Sequence, residues 1–297
     1  MNYSTCAIGL VALSTALAAC SGQATDEALG SLEQPSLCGG YDLQDVERYD
    51  GSLATTVEFV AQHQAPVGRM RWRSDLSSRY TNPGTVSGSP WCTATLISAN
   101  RMITAGHCFD VDSGGWVWPR VNGTSQPITS AQGATEMLVE FNYQVDPSGA
   151  PRTVTTVGIT ELTEYRLGGL DYAVITLNSN AGNTFGTAVP SPFKLANGDP
   201  ITIIQHPAGA LKKVHAGPIA SSSNTWLTYS TADTEGGSSG SGVLSNRTGY
   251  ISGVHTVGGC QPDGSGANGG VPILAIYAHS PIVNTMSLDA AKLAAIL

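Results

Sequence analysis

Charge is scarce in this chain of 297 residues: only 12% are Asp, Glu, Lys or Arg, and the basic share, 14 Lys and Arg against 22 Asp and Glu, is the smaller. A formal net charge of −8 and a pI near 5.1 lack the basic footprint that nucleic acid or an anionic membrane surface requires, and exclude both as partners. Long apolar runs are also missing. The longest, Ala7 to Ala19, is interrupted by Gly9, Ser14 and Thr15 and is too short for a permanent membrane helix. No internal repeat is visible. What is present is 41% hydrophobic residues, enough for a sizeable core, together with 35 glycines and 16 prolines. These punctuate short runs rich in Val, Ile and Thr, the composition of an all-β protein with few helices.

The apolar run near the start has the form of a signal-peptide core, so residues 1–20 are expected to be removed. Leu17-Ala18-Ala19-Cys20 resembles the bacterial lipobox, which implies lipidation of Cys20 and a lipid anchor as the chain's only tie to a membrane. An ordinary signal peptide cut nearby is the alternative. Setting aside Cys6 with the signal and Cys20 with the lipid leaves Cys38, Cys92, Cys108 and Cys260, an even number suited to disulfides in an oxidising compartment, with three connectivities open.

Residues 21–56 are polar and mixed, with no sustained apolar period, and read as a tether or pro-segment. From Val57 the pattern turns to strand-like runs: Val57–Val60, Val67–Trp72, Thr93–Ile97, Met137–Val145, Val154–Ile159 and Tyr172–Leu177 suit one β-domain at about 57–180. After a Gly/Pro/Asn-rich stretch, the runs Ile201–Ile204, Trp226–Tyr229, Gly242–Leu244, Tyr250–Val254 and Ile273–Tyr277 suit a second at about 195–285. Ser287-Leu288-Asp289 before AAKLAAIL predicts one helix at about 287–297, with an N-cap and an acidic first turn.

Three strings carry chemistry. Thr104-Ala105-Gly106-His107-Cys108 follows an apolar strand, with Cys92 sixteen positions before Cys108. Asp171 stands at the mouth of the run Tyr172–Leu177, and Thr234-Glu235-Gly236-Gly237-Ser238-Ser239-Gly240-Ser241-Gly242 is glycine-dense. A His beside a Cys suits a metal site, but no second His or Cys lies at ligand spacing. Asp before a strand is common turn chemistry, and a Gly/Ser stretch by itself reads as a linker.

Taken together and in the order His, Asp, Ser, the three resemble the chymotrypsin-like (trypsin-fold) serine proteases, over roughly residues 57–290 and specifically at these motifs. The order differs from those on subtilisin and α/β-hydrolase folds. The resemblance implies two six-stranded antiparallel barrels and a short C-terminal helix. It implies His107, Asp171 and Ser239 as the catalytic triad of a serine endopeptidase, an oxyanion hole from the N–H groups of Gly237 and Ser239, and a Cys92–Cys108 disulfide. Cys38 and Cys260 are then the leftover pair. It implies protein or peptide substrates, no cofactor or metal, and an exported monomer. Ser238 stands where trypsin-type zymogens carry an Asp, so their ion-pair activation switch is missing.

The ending Ser239-Gly240-Ser241 and the strand Ile251-Ser252-Gly253-Val254-His255-Thr256 are similar to the bacterial glutamyl endopeptidase branch. That likeness implies that His255 and Thr234 bind the substrate's carboxylate and that cleavage follows Glu, or Asp. Asp233 competes with this reading, because trypsin-like enzymes place the acid that binds Arg or Lys at that position. An inactive binding module of the same fold is the alternative from another class. The remaining histidines, His63, His206, His215 and His279, are expected to be structural or superficial.

Overall fold

A computed structural model describes residues 36–112 and 114–287. The signal segment, Cys20 and the helix expected at about 287–297 lie outside or at the edge of the described residues. Fourteen strands organise the described residues: β1 Gln44–Asp45, β2 Val67–Trp72, β3 Pro90–Leu96, β4 Arg101–Thr104, β5 Met137–Phe141, β6 Thr155–Arg166, β7 Tyr172–Leu177, β8 Pro200–Gln205, β9 Lys213–Pro218, β10 Ser221–Ser222, β11 Leu227–Tyr229, β12 Gly242–Ser245, β13 Ile251–Val257 and β14 Asn268–Pro272. All ladders are antiparallel.

Two barrel-like sheets result, as the resemblance implies. The first closes in the order β2-β3-β4-β7-β6-β5. The second is not a closed barrel of six strands: it is an eight-stranded sheet in the order β1-β9-β8-β12-β13-β14-β11-β10. One of its two edge strands, β1, comes from the segment whose sequence has no apolar period. There Leu43, Val46 and Tyr49 are nevertheless buried, and Gln44 and Asp45 pair with Val214 and Lys213. Widely spaced apolar residues that each meet a different neighbour leave no periodic trace.

Two expected strands are helices. Val57–Val60 opens the helix Val57–His63, whose N-cap Thr56 accepts from the Phe59 N–H at 3.1 Å. This is local hydrogen bonding that outweighs the β-preference of valine. Ile273–Tyr277 is also helical, with Ile273, Ala275 and Ile276 buried, because a short, wholly apolar run does not distinguish a buried strand from a buried helix.

The described part of the N-terminal segment is joined to both sheets through Lys212. Its backbone N–H donates to Tyr143 O at 2.9 Å, its carbonyl accepts from Val46 N at 3.4 Å, and its Nζ donates to Gln64 O at 2.9 Å. Glu47 completes the junction, accepting from Gln64, Gln144 and Arg152 at 3.1, 2.9 and 2.8 Å. Burial drives the Lys212 ammonium down to about 7, with Glu47 partly opposing it. Between about pH 7 and the unfolded value of 10.5 the unfolded chain binds more protons, so stability rises with pH in that window. We expect the wild-type protein to gain roughly 2 kcal/mol relative to Lys212→Met between about pH 7 and pH 9, at up to ~1.4 kcal/mol per pH unit. Denaturant midpoints at the two pH values measure this, and parallel profiles would mean that Lys212 stays charged in the fold.

Candidate active site

The register of the first barrel brings the histidine and aspartate segments together. Thr104 at the end of β4 pairs with Ala173 at the start of β7, so the 3-10 turn Gly106–Phe109 meets the residue that precedes β7. Asp171 grips His107 twice: Oδ1 accepts from the His107 backbone N–H at 2.7 Å and Oδ2 is 2.8 Å from Nδ1. One carboxylate therefore fixes both the turn and the ring. The Cys92–Cys108 disulfide brackets the turn, and Trp91 Nε1 donates to Cys108 O at 2.7 Å.

The loop carrying Ser239 reaches the same crevice from the second sheet through its main chain. Ser239 O accepts from Thr93 N at 2.9 Å and Gly237 O accepts from Thr93 Oγ1 at 2.8 Å. Thr93 O accepts from Thr104 Oγ1 at 2.7 Å, and Thr93 Oγ1 accepts from His206 N at 3.0 Å. Gly240 fits against this junction with φ of +89°, and a Cβ there would lie 2.0 Å from Thr104 Oγ1 and 2.3 Å from Thr93 O. Only glycine meets both demands.

Within the loop the amides of Ser238, Gly240 and Ser241 donate to Glu235 O, His255 O and Ser238 O at 2.9, 2.8 and 3.1 Å. The amides of Gly237 and Ser239 donate to no carbonyl among the described residues, which leaves them available to an incoming oxyanion.

His255 on β13 is buried beside this loop, with its N–H donating to Ser241 O at 2.9 Å. Its Nδ1 contacts the hydroxyl of Tyr229, which also lies 3.4 Å from Gly269 O. Burial, with His107 nearby, pushes the His255 imidazole down to about 3, and burial raises the Tyr229 hydroxyl well above its ordinary value. Thr234 is 1% exposed and its Oγ1 has no partner among the described residues.

Asp233 is placed differently. Its Oδ1 accepts from Cys38 N at 2.7 Å and its Oδ2 from Asp42 N at 3.5 Å. His215, read from sequence as merely structural or superficial, meets Asp42 through Nε2 next to it. Burial raises the Asp233 carboxyl, partly opposed by the Cys38 N–H. Cys38 is bonded to Cys260.

Cys92, His107 and Cys108 come within ligand reach of one another, but a disulfide leaves neither sulfur as the thiolate that a metal needs.

The trypsin-like peptidase domain family matches residues 92–254. The chain is a member of this family. The His107 turn, the Asp171 segment and the Ser239 loop all fall inside the matched stretch of the trypsin-like peptidase domain. The chain is 31% identical over 193 residues to an "Extracellular metalloprotease" of Bacillus subtilis, covering 62% of this chain and 55% of that protein. It is 33% identical over 167 residues to a "Glutamyl endopeptidase" of Bacillus licheniformis, covering 52% of this chain and 45% of that protein. The chain thus spans about half the length of each. Among solved structures, a Glu endopeptidase in complex with MPD superposes with a TM-score of 0.51 at 22% identity, covering 72% of this chain and 87% of that one. This is a likeness of fold.

Sequence reasoning missed Thr93 and Tyr229. Thr93 follows a cysteine in an apolar strand, and nothing local marks a threonine that bonds across to another domain. Thr93→Val is expected to lower stability by about 1–3 kcal/mol by stranding the Gly237 carbonyl and the His206 N–H. Thr93→Ser, which keeps the hydroxyl, should recover most of it. Denaturant midpoints test this, and a neutral Thr93→Val would mean that water replaces the hydroxyl.

Proposed function

We propose that this chain is an exported serine endopeptidase that cleaves after Glu, or Asp, through an acyl-enzyme. The observation that carries the reading is the double grip of Asp171 on His107, in a crevice to which the Ser239 loop is bound by its backbone. His107 takes the Ser239 proton as Oγ attacks the peptide carbonyl and returns it to the leaving amine. Asp171 holds the imidazole tautomer and stabilises the imidazolium. The amides of Gly237 and Ser239 receive the oxyanion, each worth about 3 kcal/mol of transition-state stabilisation.

Specificity rests on neutral hydrogen-bond donors. Tyr229, kept protonated by burial, meets His255 Nδ1; in the tautomer where Nδ1 accepts from this hydroxyl, Nε2 carries the proton and offers it to the substrate's carboxylate. The unpartnered Thr234 hydroxyl supplies a second donor. A site built this way discriminates strongly against a side chain that cannot accept. The Arg/Lys reading loses support, because both oxygens of Asp233 face backbone N–H groups of residues 38–42. Export, by a signal at residues 1–20 with lipid at Cys20, or by plain secretion, agrees with two disulfides in the fold.

Two outcomes are expected. Digestion of a mixed peptide library, mapped by mass spectrometry, should give cuts after Glu that vanish in Ser239→Ala; Ser239-dependent cuts after Arg or Lys instead would overturn the specificity. Because His255 is neutral well above about 3, the preference for Glu over Gln substrates should stay flat from about pH 6 to pH 8, a window in which an ordinary imidazole titrates. A preference that climbs as pH falls would mean that a protonated His255 reads the carboxylate.

A further inference from the structure

The segment Ser36–Asp42 meets the chain beside Thr234 and just after the strand that carries His255. Ser36 forms an isolated bridge with Thr234, its N–H donating to Thr234 O at 3.0 Å and its carbonyl accepting from Thr234 N at 3.3 Å. The buried side chain of Asn268 ties the same place together. Its Nδ2 donates to Ser36 O and Ala232 O, both at 2.8 Å, and its Oδ1 accepts from the amides of Gly259 and Cys260 at 2.9 and 3.1 Å. Ser36 lies so close to Gly258 that a Cβ there would come within 1.9 Å of Ser36 Oγ. The Cys38–Cys260 disulfide bonds the segment to the chain beyond Gly258, and Asp233, next to Thr234, holds Cys38 and Asp42 by their N–H groups.

All these bonds to Thr234 use its main chain, and its hydroxyl stays unpartnered and buried. We propose that Ser36–Asp42 is a built-in strap that fixes the specificity pocket, and that Asp233 is a positioning residue that holds the strap instead of touching substrate. The proposal rests on the assignment of Thr234 and His255 to the pocket. A carboxylate six positions before the nucleophile then serves the pocket from outside, through two backbone N–H groups that only a folded-back N-terminal segment supplies.

The test uses the full exported chain, the double variant Cys38→Ser with Cys260→Ser, Asp233→Ala and Asp233→Asn. Each is assayed on peptides that differ only in the residue before the cut, Glu, Gln or Lys, and with diisopropyl fluorophosphate, which reacts with an activated serine without filling a side-chain pocket. Loss of the strap's hydrogen bonds or its disulfide should raise KM for the wild type's preferred peptide about tenfold while kcat and the inactivation rate change less than about twofold. Asp233→Asn, which keeps an acceptor for the Cys38 N–H, should recover most of the Asp233→Ala defect.

Unchanged KM in both the double variant and Asp233→Ala overturns the proposal, as does an inactivation rate that falls in step with peptide cleavage, which would indicate a general structural loss. Selective loss of cleavage after Lys in Asp233→Asn also overturns it, because Asp233 would then be reading substrate. Failure of the glutamate reading is seen separately, in a wild-type chain that reacts with the fluorophosphate but prefers another side chain.

Discussion

Everything in the crevice depends on one threonine crossing from the first barrel to the second. Thr93 uses its backbone N–H, its carbonyl and its hydroxyl to join Ser239 O, Thr104 Oγ1, Gly237 O and His206 N. It is completely buried, so each of these bonds is protected from water, and leaving any of them unmade carries the full desolvation penalty. The His107 turn and the Ser239 loop belong to different sheets. This residue ties the Ser239 loop directly to Thr104, at the end of the strand that leads into the His107 turn.

A second constraint acts from the N-terminal side. The strap at Ser36–Asp42, the edge strand β1 and the buried junction at Lys212 bind the beginning of the described chain to both sheets. The junction buries the Lys212 amine, which desolvation disposes toward its neutral form, near Glu47, whose carboxylate is shared among Gln64, Gln144 and Arg152. A buried, hydrogen-bonded polar group of this kind adds little stability but rejects alternative packings, since each partner is costly to strand. The pocket proposed for the substrate carboxylate is thus backed by main-chain bonds and a disulfide on its outer side. Its inner face presents an imidazole that burial keeps neutral and a hydroxyl with no partner.

Much of the fold was legible. Apolar runs at Val67–Trp72, Tyr172–Leu177 and Ile201–Ile204 are strands, because alternating or wholly buried β-branched residues between Gly and Pro leave few other solutions. The helices at Val57–His63 and Ile273–Tyr277 were not, since a cap hydrogen bond decides the first and the second is too short and too uniformly apolar in sequence to show a period. The eight-stranded second sheet was not legible either, because its two edge strands, of two residues each, carry too little pattern to register.

For the site, the sequence determined which residues are candidates, since TAGHC, the Asp171 segment and the glycine-dense loop with Ser239 are contiguous motifs whose chemistry is encoded locally. The resemblance carried by the first motif implies the Cys92–Cys108 bond and leaves Cys38 with Cys260 as the remaining pair, and both bonds are present. Tertiary structure decided the rest. Asp233 and Thr234 are neighbours in the chain with opposite surroundings: one carboxylate is taken up by Cys38 and Asp42, the other side chain is left with a bare hydroxyl. Tyr229 and Thr93 acquire their roles only from partners 26 and 144 positions away. Hydrogen bonds between distant segments depend on how sheets pack, and no local pattern of residue types records that.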